Sequence, residues 1–102
     1  MSLRDPMLAR ATHGGVQWTL LESPDGMSPA PFDWNTGPFR YEIGLLLHGR
    51  LRSILTIPDK TKAMTAFARL SDISHGWFAS DEQVYVRLRA HAATQGGTLE
   101  DQ

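Results

Sequence analysis

The sequence predicts an α+β fold: a small antiparallel sheet of three or more strands, in β-β-β-α-α order, with two helices packed on one face. Three observations predict it. Apolar residues alternate with polar ones over 16–22 and again over 39–57, the period of a half-buried strand. Apolar residues recur at helical spacing after Pro58. Finally, the stretch Ser80–Gln83 reads as a helix start, with strong helix formers behind it. With 102 residues, the chain has the length of one domain with one core. A single domain over 1–102 is therefore expected, with 1–14 a loose N-terminal arm and 95–102 a flexible C-terminal tail.

In the first strand, Val16, Trp18 and Leu20 alternate with Gln17 and Thr19. The stretch 23–38 follows, rich in proline and glycine, and reads as a long loop with turns at Pro24-Asp25-Gly26 and Asn35-Thr36-Gly37. Its length, together with Phe32 and Trp34, gives it the look of a segment with a use. Phe39 to Ile57 is a hairpin. Phe39, Tyr41, Ile43, Leu45 and Leu47 share a face, and Leu51, Ser53, Leu55 and Ile57 can join it if Leu47 opposes Leu51 and Ile43 opposes Leu55. That register needs a three-residue loop, His48-Gly49-Arg50. A two-residue His-Gly turn has the better local chemistry, because both residues accept positive φ, but in a regular ladder it sets Leu45 against Arg52. Burial favours the three-residue loop, since a one-residue slip flips every side chain of a strand.

Pro58 ends that strand and Asp59 is a suitable N-cap for a helix through about Asp72, with Ala63, Phe67 and Leu70 inward and Met64 beside them. The segment 80–97, SDEQVYVRLRAHAATQGG, has two readings. Period two puts Tyr85, Arg87, Arg89 and His91 in a basic aromatic stripe. A helix instead gathers Val84, Leu88 and Ala92 with Tyr85 at the margin. The helix is preferred. Ser80 and Gln83 form a capping box, Asp81 and Glu82 suit the positive end of the helix dipole, and Ala90, Ala92 and Ala93 are poor strand residues. Gly96 then offers a left-handed stop.

This same stretch resembles the first helix and turn of ribbon-helix-helix antitoxins. Asp81-Glu82, Arg87-Leu88-Arg89-Ala90 and Gly96 to Glu100 are the matching positions, within about a fifth of the chain. The resemblance implies a helix here and the start of a second helix after the turn. No basic strand of the family's kind precedes Ser80, so the helix is carried over and DNA binding is not.

Composition narrows the function. Ten Lys and Arg against eleven Asp and Glu leave a formal charge of −1, so no global field draws the chain to nucleic acid or an anionic membrane. Without cysteine there is no disulfide, thiolate nucleophile or thiolate metal site. No apolar run approaches the roughly 20 residues of a membrane span, and a cytoplasmic location is expected. His13, His48, His75 and His91 form no paired metal motif. No nucleophile elbow, phosphate loop or dinucleotide fingerprint occurs, so no cofactor or metal is expected.

What remains is a non-enzymatic protein acting through protein–protein contact, as a regulator, inhibitor or assembly subunit, or as a homodimer. Its candidate partner-binding residues are Phe32, Trp34 and Phe39 in and beside the long loop and Arg40, Arg50 and Arg52 on the hairpin. Aromatic and arginine side chains dominate recognition patches. Two alternatives stay open: a nucleic-acid-binding regulator using Arg40, Arg50, Arg52, Arg87 and Arg89, and a small-ligand enzyme with His75 or His48 as base.

Overall fold

In a computed structural model of the chain, the structure describes residues 7–24, 38–74 and 80–102. They form a five-stranded antiparallel sheet and two helices, the α+β class expected from the sequence. The strands are β1 (Met7–His13), β2 (Val16–Pro24), β3 (Phe39–Leu47), β4 (Arg50–Ile57) and β5 (Thr98–Asp101). Helices α1 (Lys60–Ser74) and α2 (Asp81–Ala92) come between β4 and β5. Spatial order follows chain order, β1-β2-β3-β4-β5, so the sheet is a meander with its last strand delivered by the helices.

The core lies between the helices and one sheet face. Pairing across the ladders sets Val16, Trp18 and Leu20 beside Leu47, Leu45 and Ile43. Ile43 lies in turn beside Leu55, and Tyr41 beside Ile57. All are buried, as are Ala63, Ala66 and Leu70 of α1 and Val84, Tyr85, Leu88 and Ala92 of α2. The α1 stripe differs from expectation in one respect: Met64 is half exposed, and Ala66 takes the inward place. Trp18 sits at the centre, its indole Nε1 donating to Ser71 Oγ at 3.0 Å, so the largest core side chain carries no unsatisfied donor.

Both helices begin as their sequences dictate. Asp59 accepts from the Lys62 backbone N–H at 2.8 Å, capping α1. At α2 the full capping box forms: Gln83 N–H donates to Ser80 Oγ and Ser80 N–H donates to Gln83 Oε1, both at 3.3 Å. The period-two reading of 80–97 is thereby excluded. Four residues after the helix, Gly96 at φ +82° swings the chain into β5.

The ends differ from expectation. Within the arm expected to be loose, β1 pairs with β2 from Met7 to His13. Its inward positions, Ala9 and Ala11, are too small to leave a strong alternating signal, yet both pack on the core. Within the tail expected to be flexible, β5 pairs with β4 and Leu99 opposes Leu55. Gly96 to Glu100, the positions that resemble the turn of ribbon-helix-helix antitoxins, thus lead into an edge strand here, where the resemblance implies the start of a second helix.

The β3–β4 hairpin corrects the expected loop. His48 (φ 51°) and Gly49 (φ 78°) make a two-residue turn, and Leu47 pairs with Arg50, Leu46 with Leu51. Leu45 then pairs with Ser53, leaving Arg52 as the extra residue of a β-bulge. Beyond the bulge Ile43 opposes Leu55, the register that burial required. Local turn chemistry wins at the tip and burial wins along the strands; one surplus residue reconciles them. Leu51 ends on the second face, 38% exposed, and not in the core.

Candidate functional site

The described members of the expected partner-binding group do not form one patch. Phe32, Trp34 and the alternative base His75 lie outside the described residues. Phe39 packs against the core. Arg40 is exposed on the second face and pairs with Glu42 at 3.3 Å. Arg50 pairs with the inward-facing Leu47 and so stands on the helix side, at the opposite end of β3. From Arg40 to that end is seven residue steps, roughly 23 Å at the rise of a strand. Arg52 is on the helix side too, because the bulge turns it there. The five-arginine surface of the nucleic-acid reading is likewise dispersed: Arg87 lines a separate cleft on α2 with Glu82, Gln83 and Val86.

Two surfaces are built by the fold. The first is the sheet face away from the helices. Its centre carries Leu21, Leu46 and Ile54, half-buried, and the exposed Leu51. Leu51 lies over Gly44, where an added Cβ would stand 3.2 Å from both Leu51 Cδ1 and Thr19 Oγ1. One ladder row crosses this face as Arg10, Thr19, Gly44, Ile54 and Glu100. The row is basic at the β1 edge, acidic at the β5 edge and uncharged between them. Among the described residues, no helix lies across it.

The second surface is a polar cleft of about 300 Å³ between α2 and the β4–β5 edge, lined by Arg52, Tyr85, Arg89, Asp101 and Gln102. At its floor the fully buried Ser53 hydroxyl donates to Asp101 Oδ1 at 2.7 Å and lies 2.5 Å from the Tyr85 hydroxyl. With its proton committed to Asp101, Ser53 accepts from Tyr85. Arg89 grips Asp101 with two bonds, Nε to Oδ1 at 2.7 Å and Nη2 to Oδ2 at 2.5 Å. These bonds, Arg89 first and Ser53 second, hold the Asp101 carboxyl down at about 2. The reciprocal effect raises Arg89. Arg52 stacks over the Tyr85 ring, 5.3 Å from its centroid, and its backbone carbonyl accepts from Gln102 N–H at 2.9 Å.

The sequence concealed most of this cleft. Asp101 falls in the supposed tail, and Arg52 reaches the site only through the bulge. Ser53 alone left a trace, a polar residue at an inward position between leucines.

His48, the described candidate base, sits at a third place. Its Nε2 bonds Asp81 Oδ2 at 2.8 Å, and the other carboxylate oxygen accepts from Gly15 N–H at 3.0 Å. The backbone N–H of Gly15, then His48, lowers the Asp81 pKa. Asp81 therefore clips both hairpin turns to the start of α2. The chemistry of this corner is that of a fastener, since the carboxylate takes one bond from each turn.

Glu22 is buried on the core face, where it accepts from the Tyr41 hydroxyl at 3.0 Å with Lys60 Nζ 4.0 Å away. Among the described residues, no cluster of three or more His, Asp or Glu side chains is arranged to hold a metal ion, and no helix is long and apolar enough to cross a membrane. Comparisons with protein-family models, with curated proteins and with solved structures find no match to this chain.

Proposed function

We propose that this is a non-enzymatic protein that acts through protein–protein contact, using the sheet face opposite the helices. One observation carries the reading: both helices pack on the same face, while the other keeps an apolar centre with charges at its margins. A contiguous apolar area rimmed by polar groups is the usual signature of an interaction surface.

The occupant that best matches this face is a second copy of the chain. A two-fold axis parallel to β3, lying in the contact plane in front of Gly44, lays β1 of one copy over β5 of the other. In that row Arg10 meets Glu100 of the second copy, Thr19 meets Ile54, and the same pairs recur on the far side. The face is therefore complementary to itself in charge, as an isologous contact requires.

Sedimentation equilibrium tests this. The wild type is expected to dimerise, and Leu51→Lys to shift it to monomer while keeping its circular dichroism spectrum. Monomeric wild-type protein at hundreds of micromolar, in the weak-association range, would count against the second copy. A different partner, captured by wild type and lost with Leu51→Lys, would keep the contact reading and change its occupant.

A further inference from the structure

The geometry points to a carboxylate-binding site in the cleft between α2 and the β4–β5 edge, with Arg52 as the residue that grips the anion. Three features of the cleft carry this, and none depends on the opposite sheet face.

First, the charges are unequal. Two guanidinium groups face one carboxylate, and Asp101 is already engaged by both Arg89 bonds and by Ser53. Among the described residues, no ion pair or hydrogen bond holds the Arg52 guanidinium, although Asp101 lies within reach of its charge, and Arg52 is exposed at the cleft. Arg52 is therefore the less committed of the two cations.

Second, Arg52 is positioned in advance. Its guanidinium lies over the Tyr85 ring, and Tyr85 is held by its hydroxyl at Ser53. This cation–π contact uses none of the guanidinium N–H groups, and a planar fork of donors matches a carboxylate bidentately.

Third, the size and polarity fit. The cleft is at the small end of ligand sites, which start at about 300 Å³. Arg89 commits Nε and Nη2 to Asp101. The exposed Asp101 carboxylate places a second negative group nearby, which disfavours a dianion such as phosphate more than a monoanion. A single carboxylate, from a small acid or from a chain terminus, is the chemistry that balances the site.

The test follows the Tyr85 ring signals by NMR while acetate is titrated in at constant ionic strength. Inorganic phosphate is the comparator. Saturable shifts are expected with acetate in the millimolar range typical of one such contact, and weaker ones with phosphate. Arg52→Gln should weaken acetate binding about tenfold or more, Arg52→Lys should recover only part of it, and Arg40→Gln should change nothing.

A short glycine peptide with a free terminus, run against its amidated form, distinguishes the sources. Tighter binding of the free peptide than of acetate assigns a chain terminus, and equal binding assigns a small acid. No saturable shift, shifts unmoved by Arg52→Gln, equal loss with Arg40→Gln, or phosphate binding above acetate would each overturn the site.

Discussion

Asp101 shows how one side chain can link a strand edge to solution pH. Its carboxyl is held at about 2 in the folded chain, below the ordinary 3.8. A depressed pKa contributes stability that is present above the unfolded value and is lost as pH falls through the folded one. Stability should therefore decline from about pH 4 toward pH 2, and Asp101→Asn should remove that share of the decline; urea midpoints across the range would measure it. Gly97 offers a second test at this scale. A Cβ there would come within 2.5 Å of the Thr56 carbonyl oxygen and 2.8 Å of Ile57 Cγ1. Backbone cannot yield as a side-chain tip can, so Gly97→Ala should cost about 1–3 kcal/mol. The loss should appear as faster amide exchange across β5. At Gly49 the obstacle is conformational, because nothing lies within 4 Å of an added Cβ but φ is +78°. Gly49→Ala should cost about 1 kcal/mol for that reason alone.

Among the elements, α2 was the most legible and the β3–β4 turn the least. Ser80 and Gln83 stand three apart, so the capping box could be read directly and its bonds are present. Ser80→Ala should cost about 1 kcal/mol and lower Tm by roughly 4–8 °C for a domain of this size, as thermal unfolding would show. The hairpin was harder because turn chemistry and burial demanded different registers, and a regular ladder can satisfy only one. A bulge satisfies both, and nothing in the alternation marks where it falls. The strands β1 and β5 escaped for a different reason. Ala9 and Ala11 bury little surface, and four residues, Thr98–Asp101, are too few to show a period. Their pairing comes from the ladder offered by a neighbouring strand, not from their own pattern.

At the scale of the whole molecule, the meander leaves β1 and β5 at opposite edges, with the helices on one face and the apolar row on the other. Amide exchange should show residues 9–13 and 98–101 protected as parts of one sheet; exchange at free-peptide rates would contradict the edge strands. The same arrangement explains why the site residues could not be read together. Arg52, Ser53, Tyr85, Arg89 and Asp101 come from β4, α2 and β5, and they meet only after the chain has returned to the sheet. The Ser53 bonds to Tyr85 and Asp101 span 32 and 48 residues of sequence. Arg52 itself is surplus to the β3–β4 ladder. Without it the chain would run Leu47–Arg50, Leu46–Leu51, Leu45–Ser53 in unbroken alternation. The hairpin is one residue longer than its own pairing needs, and that spare residue is the one that brings a cation to the cleft. Removing it outright should leave a straighter hairpin with its core register intact, and a protein without the Gln102 bond to that residue's carbonyl and without its grip on the anion.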